Sequence, residues 1–205
     1  MRLQFVTFLL AYLLWTPFSS AQEVTRFENE TLENFAKRNG PQQAELTHTV
    51  IETTAWDKQK TVIAFYITKI KLNDGNPATQ VDGYLFIPKS TNTYEKILIN
   101  NFEEEGATPH IVAVFFANAD KDKAQELIVI CSYLQRHYDV NGTLYSTFIF
   151  DNPLPGANTT QLKFLEDVSE RVSGSCDCEW RDGKKKTSKY KTASSVRLGL
   201  KRLGF

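Results

Sequence analysis

The sequence predicts an α+β fold: a mixed, mainly antiparallel sheet with one β-α-β crossover helix, flanking helices and a small basic C-terminal hairpin and helix. Three observations predict this fold. Residues 47–117 contain short runs rich in β-branched and aromatic side chains, separated by turn residues. Apolar residues at helical spacing follow, and then a run that alternates as a strand does. The length of 205 residues suits a single domain behind a leader.

Residues 1–21 have the composition of a cleavable signal peptide. An arginine precedes an apolar block from Phe5 to Trp15, and the small residues Ser19-Ser20-Ala21 provide a cleavage site. The block is too short for a spanning helix, which needs about 20 apolar residues. We therefore expect cleavage after Ala21 and a soluble mature domain over residues 22–205, periplasmic or secreted.

The first half of the mature chain predicts one helix and then several strands. The helix is expected within 24–39, where apolar residues have helical spacing, and it ends at the stop signal Asn39-Gly40-Pro41. A strand over 61–72 is followed by a strong turn at 73–77. Further strands are expected at Val81 to Ile87, Ile97 to Ile99 and Ile111 to Ala117.

The predicted crossover unit comes next. Asn118 or Asp120 is expected to cap a helix with one apolar stripe, and Thr143 to Phe150 is expected to form the following strand. The stripe consists of Leu127, Cys131, Leu134 and Tyr138. Asn118, Asp120 and Asp122 also match the first ligands of a calcium loop, but the glycine and the final glutamate of such a loop are missing. The segment is therefore interpreted as the start of a helix and not as a calcium site.

A second helix and a basic appendage complete the predicted domain. The helix is marked by apolar residues from Leu162 to Val172, and Asp182-Gly183 is expected to form a two-residue hairpin turn. Thr192 is expected to cap a last helix with Val196, Leu200 and Leu203 on one face. We treat residues 176–205 as a basic C-terminal appendage of the single domain.

The charges are distributed unevenly, although the formal net charge is zero. Residues 22–180 contain 14 basic and 23 acidic residues, whereas residues 181–205 contain nine basic residues and one acidic residue. Such a basic cluster predicts binding to an anionic surface or protein, or packing on the acidic body of the same chain. The candidate anion-binding residues are Lys184, Lys185, Lys186, Lys189, Lys191, Arg197, Lys201 and Arg202.

The cysteines suggest a second chemistry. Cys176 and Cys178 are separated by one residue, so they are candidates either for a disulfide or for a soft metal site completed by Cys131 or a histidine. Cys131 is expected to pack as a small apolar side chain. Three glycosylation sequons, at Asn29, Asn141 and Asn158, carry meaning only in a eukaryotic host.

Enzymatic motifs give little support for catalysis. The sequence has no phosphate-binding loop, no zinc-protease motif, no nucleophile elbow, no cofactor motif and no specific nucleic-acid-binding motif. The best catalytic constellation is His137 with Asp139 and Ser146, which would make the protein an extracytoplasmic hydrolase. The sequence favours a non-catalytic binding or interaction module, with that hydrolase and a thiol or metal protein as alternatives.

Overall fold

The computed structural model describes residues 21–56, 60–72, 75–153 and 159–205. Within these ranges antiparallel strands dominate and three short helices accompany them, so the fold is mostly β and broadly α+β. The predicted signal peptide, the tip of the turn at 73–74 and the sequon at Asn158 lie outside the described residues. None of the described helices has the length and apolar character needed to cross a membrane.

The first sheet has its strands in the order β1-β6-β5-β4-β2, with β3 also paired to β4. The strands are β1 (Gln22–Thr25), β2 (Glu45–Leu46), β3 (Ile51–Thr53), β4 (Thr61–Lys71), β5 (Pro77–Pro88) and β6 (Thr93–Phe102). Every pairing in this sheet is antiparallel. The strands expected at 61–72, 81–87 and 97–99 are confirmed, each at similar or greater length.

The second sheet is also antiparallel and has the order β11-β10-β9-β8-β7. Its strands are β7 (His110–Ala117), β8 (Glu126–Arg136), β9 (Val140–Phe150), β10 (Ser175–Trp180) and β11 (Lys185–Lys186). The hairpin predicted at Asp182-Gly183 joins β10 to β11, and Gly183 has a φ of 83°, which glycine adopts without strain.

The main core lies between the two sheets, because its buried side chains come from both. Alternate residues of each central strand point into this core, as the two-residue period of a strand requires. On β4, Ile63 and Phe65 point inward, whereas Val62, Ala64 and Tyr66 lie on the opposite face with helix α1 (Leu32–Asn39). The molecule is thus layered as helix, sheet, sheet and helix.

The predicted crossover helix was wrong, because residues 126–136 form strand β8 between β7 and β9. Leu127, Val129 and Cys131 face the core between the sheets, whereas Ile128 and Ile130 face the outer helices. A strand buried on both faces is continuously apolar, so it imitates a helical stripe over a few residues. The last two members of that stripe are in fact exposed, Leu134 by 46% and Tyr138 by 86%.

The outer face of the second sheet is covered by helices α2 (Glu166–Arg171) and α3 (Ala193–Leu203). Val196 and Leu200 of α3 are buried there, whereas Leu203 is more exposed. The predicted cap at Thr192 is confirmed, since its hydroxyl accepts from the amide of Ser195 at 3.2 Å. The C-terminal helix is therefore docked on the body of the protein.

Candidate functional site

The connection between β7 and β8 is a loop stabilised by side chains that bind its own backbone. Asp120 accepts from the amide of Asp122 at 2.8 Å, and Asp122 accepts from the amide of Ala124 at 2.6 Å. The side-chain amide of Asn118 donates to the carbonyl of Asp122 at 3.0 Å. Asn and Asp favour such turns, so the residues expected to begin a helix form a compact loop instead.

The segment that contains α2 is fixed to the end of β9 beside this loop. Ser169 accepts from the amide of Ile149 at 3.0 Å, and Ser173 accepts from the amide of Thr147 at 2.7 Å. β10 pairs with β9 only as far as Tyr145, so the two serines satisfy amides that have no strand partner on that side. These bonds hold α2 at a defined position against the sheet.

A cleft lies between the β7–β8 loop, α2 and the end of the chain. Its two adjoining parts have volumes of about 760 and 840 Å³ and share the same central residues. Its apolar wall includes Phe164, Leu165, Val168 and Phe205. The charged groups around it are the carboxylates of Asp120, Asp122, Glu166 and Asp167 and the cations of Lys121 and Arg171. Carboxylates therefore outnumber cations at this surface.

Three carboxylates come together at one side of the cleft. Oxygens of Asp120, Asp122 and Asp151 all lie within 4.8 Å of one another. Asp151 follows the last residue of β9, whereas the other two belong to the loop, so only the fold unites them. Lys163 is paired with Asp151 at 3.2 Å, but its side chain remains largely exposed.

Glu126, the first residue of β8, is buried beneath this group of carboxylates. Its side chain has no solvent exposure, and one oxygen accepts from the amide of Ala119. The other oxygen, Oε1, has no hydrogen-bond partner among the residues that the structure describes. Burial, with a smaller contribution from the negative charges of Asp120 and Asp122, raises the pKa of Glu126 to about 7. A buried carboxyl of this kind is uncommon outside functional sites.

The predicted hydrolase residues are not brought together. His137 and Asp139 lie in the turn between β8 and β9, where the ring of His137 is 3.1 Å from the side chain of Gln135. Ser146 lies six residues along β9 from Val140, a separation of about 20 Å in an extended strand. The structure therefore does not assemble the constellation that the hydrolase alternative needs.

The cysteine pair forms a disulfide between Cys176 and Cys178 on β10. A disulfide was one of the two alternatives predicted for this pair. The other, metal binding by the reduced thiolates, stays a prediction. Cys131 is a buried free thiol on β8. Its expected role as a small core residue is confirmed, although on a strand and not on a helix.

The basic residues of the appendage are only partly available for a partner. Three lysines pair with carboxylates of the appendage itself: Lys184 with Asp182, Lys185 with Glu179 and Lys191 with Asp177. Arg197 stacks on Phe115 and Lys189 on Tyr190. Within the described ranges, Lys186, Lys201 and Arg202 make no ion pair. Anion binding by this cluster stays a prediction.

Two residues of the site, Asp151 and Glu126, were not predicted from the sequence. Had β8 been recognised as a strand, its pairing with β9 would have placed them side by side. Phe205 was also not predicted as a site residue, because its position beside α2 in the cleft depends on the docking of α3. No family model, no curated protein and no solved structure matches this chain.

Proposed function

We propose that this protein is a non-catalytic binding protein, and that its cleft takes a small ligand with an apolar body and a positive charge. The observation that carries the proposal is the cleft itself, where apolar side chains and an excess of carboxylates adjoin. Concave, largely apolar surfaces with a few polar groups are the usual form of ligand sites.

The apolar wall supports the hydrophobic part of such a ligand. Phe164 is 42% exposed and Phe205 is half-buried, so both rings offer surface that water otherwise covers. Transfer of apolar area from water contributes roughly 25 cal/mol per Å². An aromatic ring of the ligand gains this contribution by packing between α2 and the end of the chain.

The carboxylates support the positive charge. Asp167 is exposed on α2 and borders both parts of the cleft, facing the two aspartates of the β7–β8 loop. Cations are attracted to a surface with several like-signed carboxylates, and anions are repelled. The described lining contains no histidine, serine or cysteine, and this composition favours binding over acyl-transfer chemistry.

We also propose that the protein acts outside the cytoplasm after export. The apolar leader supports this proposal, and so does the disulfide, since disulfides persist in oxidising compartments. Mass spectrometry of the protein from the cells that produce it is expected to give a chain starting at Gln22. An intact chain starting at Met1 would contradict export by this route.

The choice of probes tests the charge preference. Phenethylamine and 3-phenylpropionate have a similar ring and length but opposite charges, so calorimetric titration of both isolates the effect of charge. The measurement is made with a chelator present to remove divalent cations. We expect phenethylamine to bind at least about fivefold more tightly than 3-phenylpropionate, since exposed ion pairs contribute up to about 1 kcal/mol each. Equal affinities, or no saturable binding of the amine, would refute the proposal.

A matched pair of variants locates the site. Asp167→Asn removes a carboxylate that borders the cleft, whereas Glu170→Gln makes the same change on the same helix outside it. We expect Asp167→Asn to weaken phenethylamine binding two- to fivefold and Glu170→Gln to leave it unchanged. Equal losses in the two variants would indicate a general charge effect and not a site.

A further inference from the structure

The buried glutamate beneath the β7–β8 loop points to a ligand that the described residues do not supply. Oε1 of Glu126 is shielded from solvent and makes no hydrogen bond within the described part of the chain. A buried carboxyl oxygen without a partner is costly, so such a group implies an unfilled partner or a special role. Its other oxygen is held by the amide of Ala119, directly before Asp120, so the carboxyl lies at the base of the loop.

The strand register places Glu126 and Asp151 next to each other. Leu127 pairs with Phe150, and both side chains face the core between the sheets. The neighbouring residues Glu126 and Asp151 therefore share the opposite face, which is the face below Asp120 and Asp122. The carboxyl groups of the loop, of the first residue of β8 and of the residue after β9 therefore lie at the same end of the sheet.

We propose that Asp120, Asp122 and Asp151 bind a calcium ion, and that a water molecule on this ion donates to Oε1 of Glu126. Two oxygens bound to one Ca²⁺ at 2.3–2.6 Å lie at most roughly 5 Å apart. The mutual limit of 4.8 Å for the three aspartates meets this condition. Glu126 is not one of these three ligands, so it interacts with the ion through the bound water and not directly.

The order of residues explains why this site is not visible as a calcium motif. The loop supplies the early ligands of a calcium loop, but the last ligand is Asp151, directly after β9, and not a residue at the twelfth position. The absent glycine matters less here, because the loop closes with Asx turns between two antiparallel strands and not within a helix pair.

Competing positive charges near the site are weak. Lys163 is paired with Asp151, but its side chain is 73% exposed, and exposed pairs contribute about 1 kcal/mol or less. Lys121 and Lys123 are exposed in the loop. Among the described residues, calcium therefore has a single surface ion pair to displace. Lys163→Gln is expected to tighten calcium binding about threefold.

Terbium, which replaces calcium in oxygen sites, provides a direct optical test. Trp56 donates from its indole N–H to the carbonyl of Gln125, the residue before Glu126, and it is therefore the tryptophan that we expect to sensitise terbium emission. In the full mature chain, we expect saturable terbium luminescence excited through tryptophan. We expect displacement by calcium at a lower concentration than by magnesium, and most of the signal to be lost in Trp56→Phe.

Variants separate this site from the proposed ligand cleft, on which it does not depend. Asp151 lies outside the cleft lining, and Asp167 lies outside the carboxylate cluster. We expect Asp151→Asn to weaken calcium binding at least tenfold and to preserve phenethylamine binding. Asp167→Asn is expected to weaken phenethylamine binding and to preserve calcium binding.

Two further controls complete the test. Asp122 borders both the carboxylate cluster and the cleft, so Asp122→Asn is expected to weaken calcium binding as Asp151→Asn does and also to weaken phenethylamine binding, with an unchanged circular dichroism spectrum. Absence of terbium or calcium binding in the unmodified chain, equal displacement by magnesium, or undiminished calcium binding in both aspartate variants would each overturn the inference.

Discussion

At the scale of single residues, Glu126 has the most unusual environment in the candidate site. The sequence places a glutamate before a run of apolar residues and gives no indication of its burial. The structure buries it because β8 is packed on both faces and its first residue lies under the β7–β8 loop. The resulting rise in the pKa of Glu126 to about 7 has a consequence for stability.

Metal-free protein is expected to lose stability as the pH rises from about 4.5 to about 7. Over this interval the folded Glu126 binds a proton that the unfolded chain has released, so a rising pH favours unfolding. The loss is about 3 kcal/mol at most, and Glu126→Gln is expected not to show it. Urea denaturation of both proteins at several pH values, with chelator, measures this difference. A constant difference in unfolding free energy between the two proteins would contradict the assignment.

Gly142 is required because the backbone of a neighbouring strand approaches it closely, and not because the chain turns there. It pairs with Cys178 across β9 and β10, and an added Cβ would lie 2.2 Å from the carbonyl oxygen of Asp177. Backbone cannot move aside cheaply, so Gly142→Ala is expected to cost about 3 kcal/mol of unfolding free energy.

The control for that prediction is Gly174, which has a φ of 71° and open space around it. Gly174→Ala is expected to cost about 1 kcal/mol, which reflects backbone conformation alone. Chemical denaturation compares the two variants. A loss in Gly142→Ala no larger than in Gly174→Ala would show that β10 does not pack on β9 as described.

At the scale of elements, the strands bounded by clear turn residues were predictable and β8 was not. β4, β5, β6 and β9 are bounded by turn residues and rich in β-branched or aromatic residues, so their positions follow from local sequence. β8 is continuously apolar at its centre, and only its burial by layers on both sides distinguishes it from a helix. That information is long-range. The calcium interpretation was rejected on separate grounds, because the glycine and the final glutamate of a calcium loop are missing.

The last helix was predicted from its cap, and the cap offers a quantitative test. Thr192 and Ser195 form reciprocal bonds with each other's backbone amides. Thr192→Ala is expected to cost about 1 kcal/mol, whereas Ser194→Ala, in the exposed first turn, is expected to cost much less. Thermal or urea unfolding measures both. Equal stabilities would indicate that the helix end is not held by this cap.

At the scale of the whole molecule, the cleft depends on parts of the chain that are far apart in sequence. The β7–β8 loop, the segment around α2 and Phe205 meet only because both outer helices pack on the second sheet. The separation of charge was predictable from composition, but the appendage neutralises part of its own charge through ion pairs. The carboxylates at the cleft are therefore a stronger candidate for charge-driven binding than the partly neutralised basic appendage.

The central claim is that this acidic cleft is the binding site, and a nuclear magnetic resonance titration tests it most directly. Phenethylamine is added to isotope-labelled protein with chelator present, and backbone amide shifts are followed. If the amine binds in the cleft, saturable shifts are confined to residues 119–122, 164–168 and 203–205. Shifts absent at saturating amine, or centred on the basic appendage or the turn around His137, would contradict it.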